Sequence, residues 1–227
     1  MPRAIVKTVA GPRLARRASA AALCLFLYGC GASAPPKKEA AKAALPDRAP
    51  EVYRVRFDTS KGPFVVEVSR AWAPRGADHF YDLVKTGFYD GARFYRVVRN
   101  YVAQFGIAAD PAANRLWAST GIPDDPVKES NRKGTLSYAM RGPGTRSTQV
   151  FINLKDNRPL DKDGFAPFGR VVSGMDVVES LYNFYGDMAP RGGGPDPKMI
   201  ETQGNQYLET RFPRLDFIQK TVIEPTT

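Results

Sequence analysis

The stretch ARFYRVVRNYVAQFG, residues 92–106, decides how this chain is read. It consists mostly of β-forming aromatic and branched side chains, yet Arg96 and Gln104 stand among them. Strict alternation from Arg93 puts Arg96 on the strand face of Phe94 and Val98, the apolar face that a fold normally buries. A lone guanidinium is costly there. Two explanations are open. Either Arg96 meets a carboxylate in a structural ion pair, which the residue types alone favour, or the outer face of the strand forms a groove in which a fixed donor is wanted.

Moving outward, YRVRFDTSKGPFVVEVS (53–69) alternates on either side of a Ser-Lys-Gly turn and predicts a β-hairpin. A helix follows at about 74–86, where Ala77, Phe80, Val84 and Phe88 recur at helical spacing between Pro74 and Gly87. Strands are predicted near 92–98, 101–104, 134–140, 148–154 and 167–172. A second helix is predicted at 174–185, with Val178, Leu181 and Tyr182 on one face. Many short strands and two helices suggest an antiparallel barrel with helical caps.

The chain has 227 residues, 43% hydrophobic and 25% charged, which suits one soluble globular domain with appendages. Its net charge of +10 resembles a nucleic-acid signal until it is divided along the chain. Residues 1–50 hold nine Lys/Arg against Glu39 and Asp47 and so carry +7, leaving +3 for the rest. A nearly balanced domain with no basic-aromatic stripe argues against a DNA or RNA partner.

The excess sits in a leader. Arg13, Arg16 and Arg17 precede the apolar run ASAAALCLFLYG, Ala18 to Gly29, and then Cys30, the layout of a signal peptide. The run is too short for the roughly 20 residues of a spanning helix. LYGC, Leu27 to Cys30, resembles the bacterial lipobox, in which a small residue precedes a cysteine that is lipidated; Tyr28 is bulkier than that motif usually has. The alternative is an ordinary secretory signal cut near the GCGASA run. The expected organisation is therefore a signal peptide at 1–29, a lipidated Cys30 with a flexible tether over 30–50, and a folded domain at 51–227. Such a chain faces the periplasm of a bacterial envelope or is secreted, anchored to a membrane through Cys30. A flexible tether of about 20 residues spans roughly 25 Å.

No cysteine follows Cys30, so the domain has neither a disulfide nor thiol chemistry. His79 is the only histidine, which argues against a His-based triad and a multi-histidine metal site. It falls beside the apolar stripe of the first helix and reads as a solvated residue.

Three ordered motifs carry a family resemblance. FYRVVRNYVAQFG is similar to the cyclophilin segment F-H-R-[IV]-I-x-x-F-[MV]-x-Q-G-G. GTLSYAMRGPGTRSTQVFIN (134–153) resembles the family's G-x-[LI]-[SA]-M-A block ending in S-Q-F-F-I, and PLDKDGFAPFGRVVSGMDVVE (159–179) its L-D…V-F-G-x-V-x-x-G-M-x-V-V stretch. The likeness covers 52–185 and a last strand near 215–223. Cyclophilins are peptidyl-prolyl cis-trans isomerases. The resemblance implies a mainly β fold: a closed eight-stranded antiparallel barrel capped by two helices, with the substrate groove on its outer surface.

Carried over position by position, the resemblance makes Arg96 the catalytic arginine and Gln104 the groove glutamine. Tyr101, Val102, Phe151 and Leu160 match the proline pocket, and Ala139 and Gln149 match backbone-contacting positions. Tyr95 stands where the family has a histidine, Phe165 where it has a later one, and Pro159 where a tryptophan is common. These departures imply an altered rate or peptide preference and weak cyclosporin binding. The residues support a groove independently, since STQVFINL (147–154) sets Gln149, Phe151 and Asn153 against Val150, Ile152 and Leu154. The implied partners are proline-containing polypeptides, met by a monomer without cofactor or metal. The other readings are a catalytically weak cyclophilin-like scaffold or chaperone, and a sugar-binding or structural β lipoprotein that would make the three motifs coincidence. Residues 186–213 exceed the usual family length, and PKMIETQGNQYLETRF (197–212) within them predicts a short helix ended by Pro213.

Overall fold

The computed structural model describes residues 48–225. The expected signal peptide, Cys30 and the tether up to residue 47 lie outside them. The strands are β1 Val52–Thr59, β2 Gly62–Ser69, β3 Arg96–Val98, β4 Val102–Phe105, β5 Thr135–Tyr138, β6 Val150–Asn153, β7 Pro167–Ser173 and β8 Ile218–Ile223. The helices are α1 Pro74–Lys85, α2 Pro111–Trp117, α3 Pro159–Lys162, α4 Met175–Glu179, α5 Pro197–Gln203 and α6 Asn205–Arg211.

The hairpin forms as its alternation predicts. Val55 and Phe57 of β1, and Phe64, Val66 and Val68 of β2, are buried, while Arg54 and Arg56 point outward and ion-pair with Glu67 and Asp58. Thr59 pairs with Gly62 across the turn, where the Lys61 N–H donates to the Thr59 hydroxyl at 3.1 Å. Phe57 stacks on Phe64 at 4.7 Å, and Phe80 of α1 packs on Phe168 of β7 at 5.0 Å. Such rings contribute about 1.5–3 kcal/mol each through burial. They fill the main core, which lies between the sheet and α1.

The eight strands form one antiparallel sheet in the order β3-β4-β6-β5-β7-β2-β1-β8. It is a half-barrel, open between β3 and β8, and this corrects the closed barrel implied by the resemblance. The segment before β3 and the start of β8 meet through an isolated bridge, Arg93 to Phe217, flanked by Phe94 N–H to Asp216 O at 3.0 Å and Ile218 N–H to Ala92 O at 2.8 Å. The physical cause is an interruption at Phe94 and Tyr95, which ends the pairing with residues 216–218 before β3 begins.

The same interruption overturns the strict alternation through Arg96. Phe94 and Val97 both belong to the main core, three positions apart, whereas Tyr95 belongs to a second cluster with Ile107, Ile200, Leu208 and Leu215. Arg96 is thereby turned out of the core and lies half-buried on the outer face.

His79 is also corrected. It is buried, with its ring 5.6 Å from Trp117 of α2 and 6.0 Å from Tyr138. Its solvated reading fails because α2, which the periodicity did not reveal, covers that side of α1. The predicted helix at 174–185 shortens to α4, because the Tyr182 N–H donates to Asp216 Oδ2 at 2.7 Å instead of continuing the helix. In the insertion the one predicted helix is two. Gly204 separates α5 from α6 at φ 60°, and a Cβ there would lie 2.2 Å from the Ala109 carbonyl oxygen.

Candidate active site

Strands β3, β4 and β6 lie side by side, and their register aligns the site. Arg96 is opposite Gln104, and Gln104 is opposite Phe151, so a donor, an amide and an aromatic ring form one row across three strands. This row lines a groove of about 580 Å³ on the outer face of the sheet. Val102, Phe151 and Leu160 supply apolar wall, with Phe165 edge-on to Phe151 at 5.7 Å. Tyr101 lines the same groove, with the Arg96 guanidinium 5.6 Å above its ring. Ala139 and Gln149 form a further side, joined through Ala139 N–H to Gln149 O at 2.8 Å.

Nine of the ten expected site residues therefore meet in this groove; Tyr95 does not line it. It lies beneath, 1% exposed, where its hydroxyl donates to Gln149 Oε1 at 2.6 Å and accepts from Gln104 Nε2 at 2.6 Å. Burial raises the Tyr95 phenol above its ordinary value, although the Arg96 charge and the Gln104 hydrogen bond pull it down. The hydroxyl thus stays protonated and fixes both glutamine side chains. Asn153, expected on the groove face, is instead fully buried and donates to Asn131 Oδ1 and Thr135.

Arg96 satisfies both of the explanations left open for it. Its Nη1 donates to Gln104 Oε1 at 3.0 Å, and its Nε and Nη2 donate to Asp187 Oδ1 and Oδ2 at 2.7 and 3.3 Å. It is an ion-paired residue and a groove residue at once. Burial pushes the Asp187 carboxyl up, but the Arg96 hydrogen bond and charge, the Met188 N–H and Arg191 outweigh it and hold the carboxyl below its ordinary value.

Asp187, Met188, Arg191, Pro197 and Glu201 were missed by sequence reasoning. All come from the insertion, and all but Asp187 line the groove. The ion-pair reading asked for a carboxylate near Arg96, but its partner lies 91 positions away and no local pattern marks it. The groove holds no constellation of ligands suited to a metal; among the described residues no group of three or more His, Cys, Asp or Glu could hold one.

The family model for the cyclophilin type peptidyl-prolyl cis-trans isomerases matches residues 54–199. Among curated relatives, the peptidyl-prolyl cis-trans isomerase CYP18-2 of Arabidopsis thaliana is 32% identical over 155 residues, covering 66% of this chain and 91% of that protein. A crystal structure of a cyclophilin type peptidyl-prolyl cis-trans isomerase of Cryptosporidium parvum superposes with a TM-score of 0.55 at 21% identity, over 78% of this chain and 99% of that one. The same protein in the presence of the dipeptide Ala-Pro gives a TM-score of 0.54 at 21% identity, covering 76% and 99%.

Proposed function

The chain belongs to the cyclophilin-type peptidyl-prolyl cis-trans isomerases (EC 5.2.1.8), and from that premise we propose that Arg96 is its catalytic donor, acting on X-Pro bonds of polypeptides in or beyond the cell envelope. The observation that carries the assignment is the row Arg96, Gln104, Phe151 at an open groove with an apolar wall.

The chemistry is rotation. The barrier of about 18–20 kcal/mol comes from the partial double bond of the amide, and no covalent bond is broken. At the twisted geometry conjugation is lost and the prolyl nitrogen becomes a better acceptor. Of the five N–H groups of a guanidinium, Gln104 and Asp187 engage three in Arg96 among the described residues, leaving two to meet the nitrogen or carbonyl oxygen of the amide. This is stabilisation by a donor already in place. Val102, Phe151, Leu160 and Tyr101 hold the proline ring while the other side of the bond turns, and Ala139 and Gln149 meet the peptide backbone. The Ala-Pro dipeptide named with the Cryptosporidium parvum cyclophilin supports a proline-containing ligand for a fold of this kind. The signal-peptide layout of residues 1–29 and the likeness of LYGC to a lipobox support the envelope location. The domain acts as a monomer in this reading.

The test is turnover of a short X-Pro peptide, followed by NMR exchange, with melting temperature recorded for each variant. Arg96→Ala lowers the catalysed rate by roughly 10² to 10³, or about 2.7–4 kcal/mol of transition-state stabilisation. Arg96→Lys restores little, because an ammonium lacks the planar fork. Folded Arg96→Ala with wild-type turnover refutes the assignment. Peptide binding without catalysis by the wild type would favour a scaffold, for which the replacements Tyr95 and Pro159 leave room.

A further inference from the structure

We propose that Asp187, supplied by the 186–213 insertion, is a positioning residue for the isomerisation: it holds the Arg96 guanidinium at the angle from which its two free N–H groups reach the prolyl amide. The proposal rests on the assignment of Arg96 as that donor.

The grip has two sides. Gln104 alone would tether one nitrogen, Nη1, and leave the guanidinium plane free to turn about that bond. Asp187 takes Nε and Nη2 together at 2.7 and 3.3 Å, a two-point contact that fixes the plane. The pair is partly shielded from water, the Arg96 side chain being 12% exposed and the Asp187 side chain 29%. Hydrogen bonds weaken steeply off axis, so the plane of the fork decides whether the remaining donors point at a twisted amide.

Asp187 is itself held still. The Met188 N–H donates to its Oδ1 at 2.8 Å, and the Gly194 N–H donates to its carbonyl oxygen at 2.9 Å. The following PRGGGP segment closes on its backbone. A Cβ at Gly192 would lie 2.4 Å from the Asp187 carbonyl oxygen, and one at Gly194 would lie 2.8 Å from it, so only glycine permits the approach. Arg191 Nε, 4.0 Å from Oδ2, is a second cation beside the same carboxylate.

The pair is not needed to anchor the insertion. That task falls to the second apolar cluster, in which Ile200 and Leu208 of the insertion pack with Tyr95, Ile107 and Leu215. Asn205 also ties the insertion to the rest of the fold, its N–H donating to Ala109 O at 3.0 Å and its Nδ2 to Gly91 O at 3.0 Å. A carboxylate aimed at the catalytic arginine from an element that other contacts already secure is placed for orientation.

The experiment measures kcat and KM of the full chain on a short X-Pro peptide by NMR exchange, in Asp187→Asn, Asp187→Glu, Arg96→Ala and the double variant Arg96→Ala/Asp187→Asn. The Nε–H signal of Arg96 is recorded in parallel. Asp187→Asn lowers kcat by about tenfold to a hundredfold, the scale of a misplaced reacting group, while KM changes by less than about threefold. The Arg96 Nε–H signal loses its exchange protection, and Asp187→Glu, which keeps the charge, is intermediate. In the Arg96→Ala background Asp187→Asn has no further effect, since nothing is left to orient. A folded Asp187→Asn with wild-type or raised kcat overturns the proposal, as does an equal loss in both backgrounds. An Arg96→Ala variant that turns over normally overturns instead the donor assignment beneath it.

Discussion

Acidification removes stability through His79, and by a calculable amount. The ring is 6% exposed, wedged between Trp117 and Tyr138, and its Nε2 has no hydrogen-bond partner among the described residues. Burial pushes its pKa from 6.5 down to about 4; a hydrogen bond with the Ser147 backbone opposes the shift, and the Arg146 charge adds to it. The fold therefore favours the neutral ring. Above pH 6.5 both folded and unfolded chains keep it neutral and the group contributes no slope. As pH falls from 6.5 towards 4, the unfolded chain takes up a proton that the folded chain refuses, so stability is lost across that window. At about 1.36 kcal/mol per unit, the loss is on the order of 1 kcal/mol at pH 5.5 and about 3 kcal/mol once the whole window is crossed. Urea unfolding at pH 7.5 and 5.5, in wild type and His79→Phe, isolates the term, because carboxylates elsewhere contribute equally to both. The wild type should lose on the order of 1 kcal/mol more than the variant between those conditions. As His79 is the only histidine, its Cε1–H resonance can be followed without assignment and should not titrate until near pH 4. A ring that titrates near 6.5, or an identical pH dependence in both proteins, refutes the argument.

Phe151→Ala removes a ring that is 4% exposed and packs edge-on against Phe165. It should raise the KM for an X-Pro peptide severalfold and lower stability by up to about 3 kcal/mol, read by titration and chemical denaturation; an unchanged KM sinks the pocket assignment. The wild type should sediment with membranes and Cys30→Ser should not, because lipid attachment is the proposed cause. Equal partitioning of the two would dispose of the lipobox reading.

Local pattern determined much of this protein. The hairpin was legible because alternation over 53–69 can bury only one face, and β4, β5, β6 and β7 lie close to their predicted positions although β4, β5 and β6 are buried on both faces. The motif likeness brought Arg96, Gln104, Phe151 and their neighbours to one place, and the groove assembles nine of those ten residues. Tertiary structure decided what depends on residues far apart in the chain. The turn of Arg96 away from the core arises where pairing with residues 216–218 breaks off at Phe94 and Tyr95, and the same break leaves the sheet open. His79 is buried because α2 folds over it, and α4 stops early because Asp216 claims the Tyr182 amide. The partner of Arg96 could not be read from its own strand, since a carboxylate 91 residues away carries no periodicity that points back to it. Side-chain period reports which face a residue can occupy; only the packed chain settles which face is covered and by what.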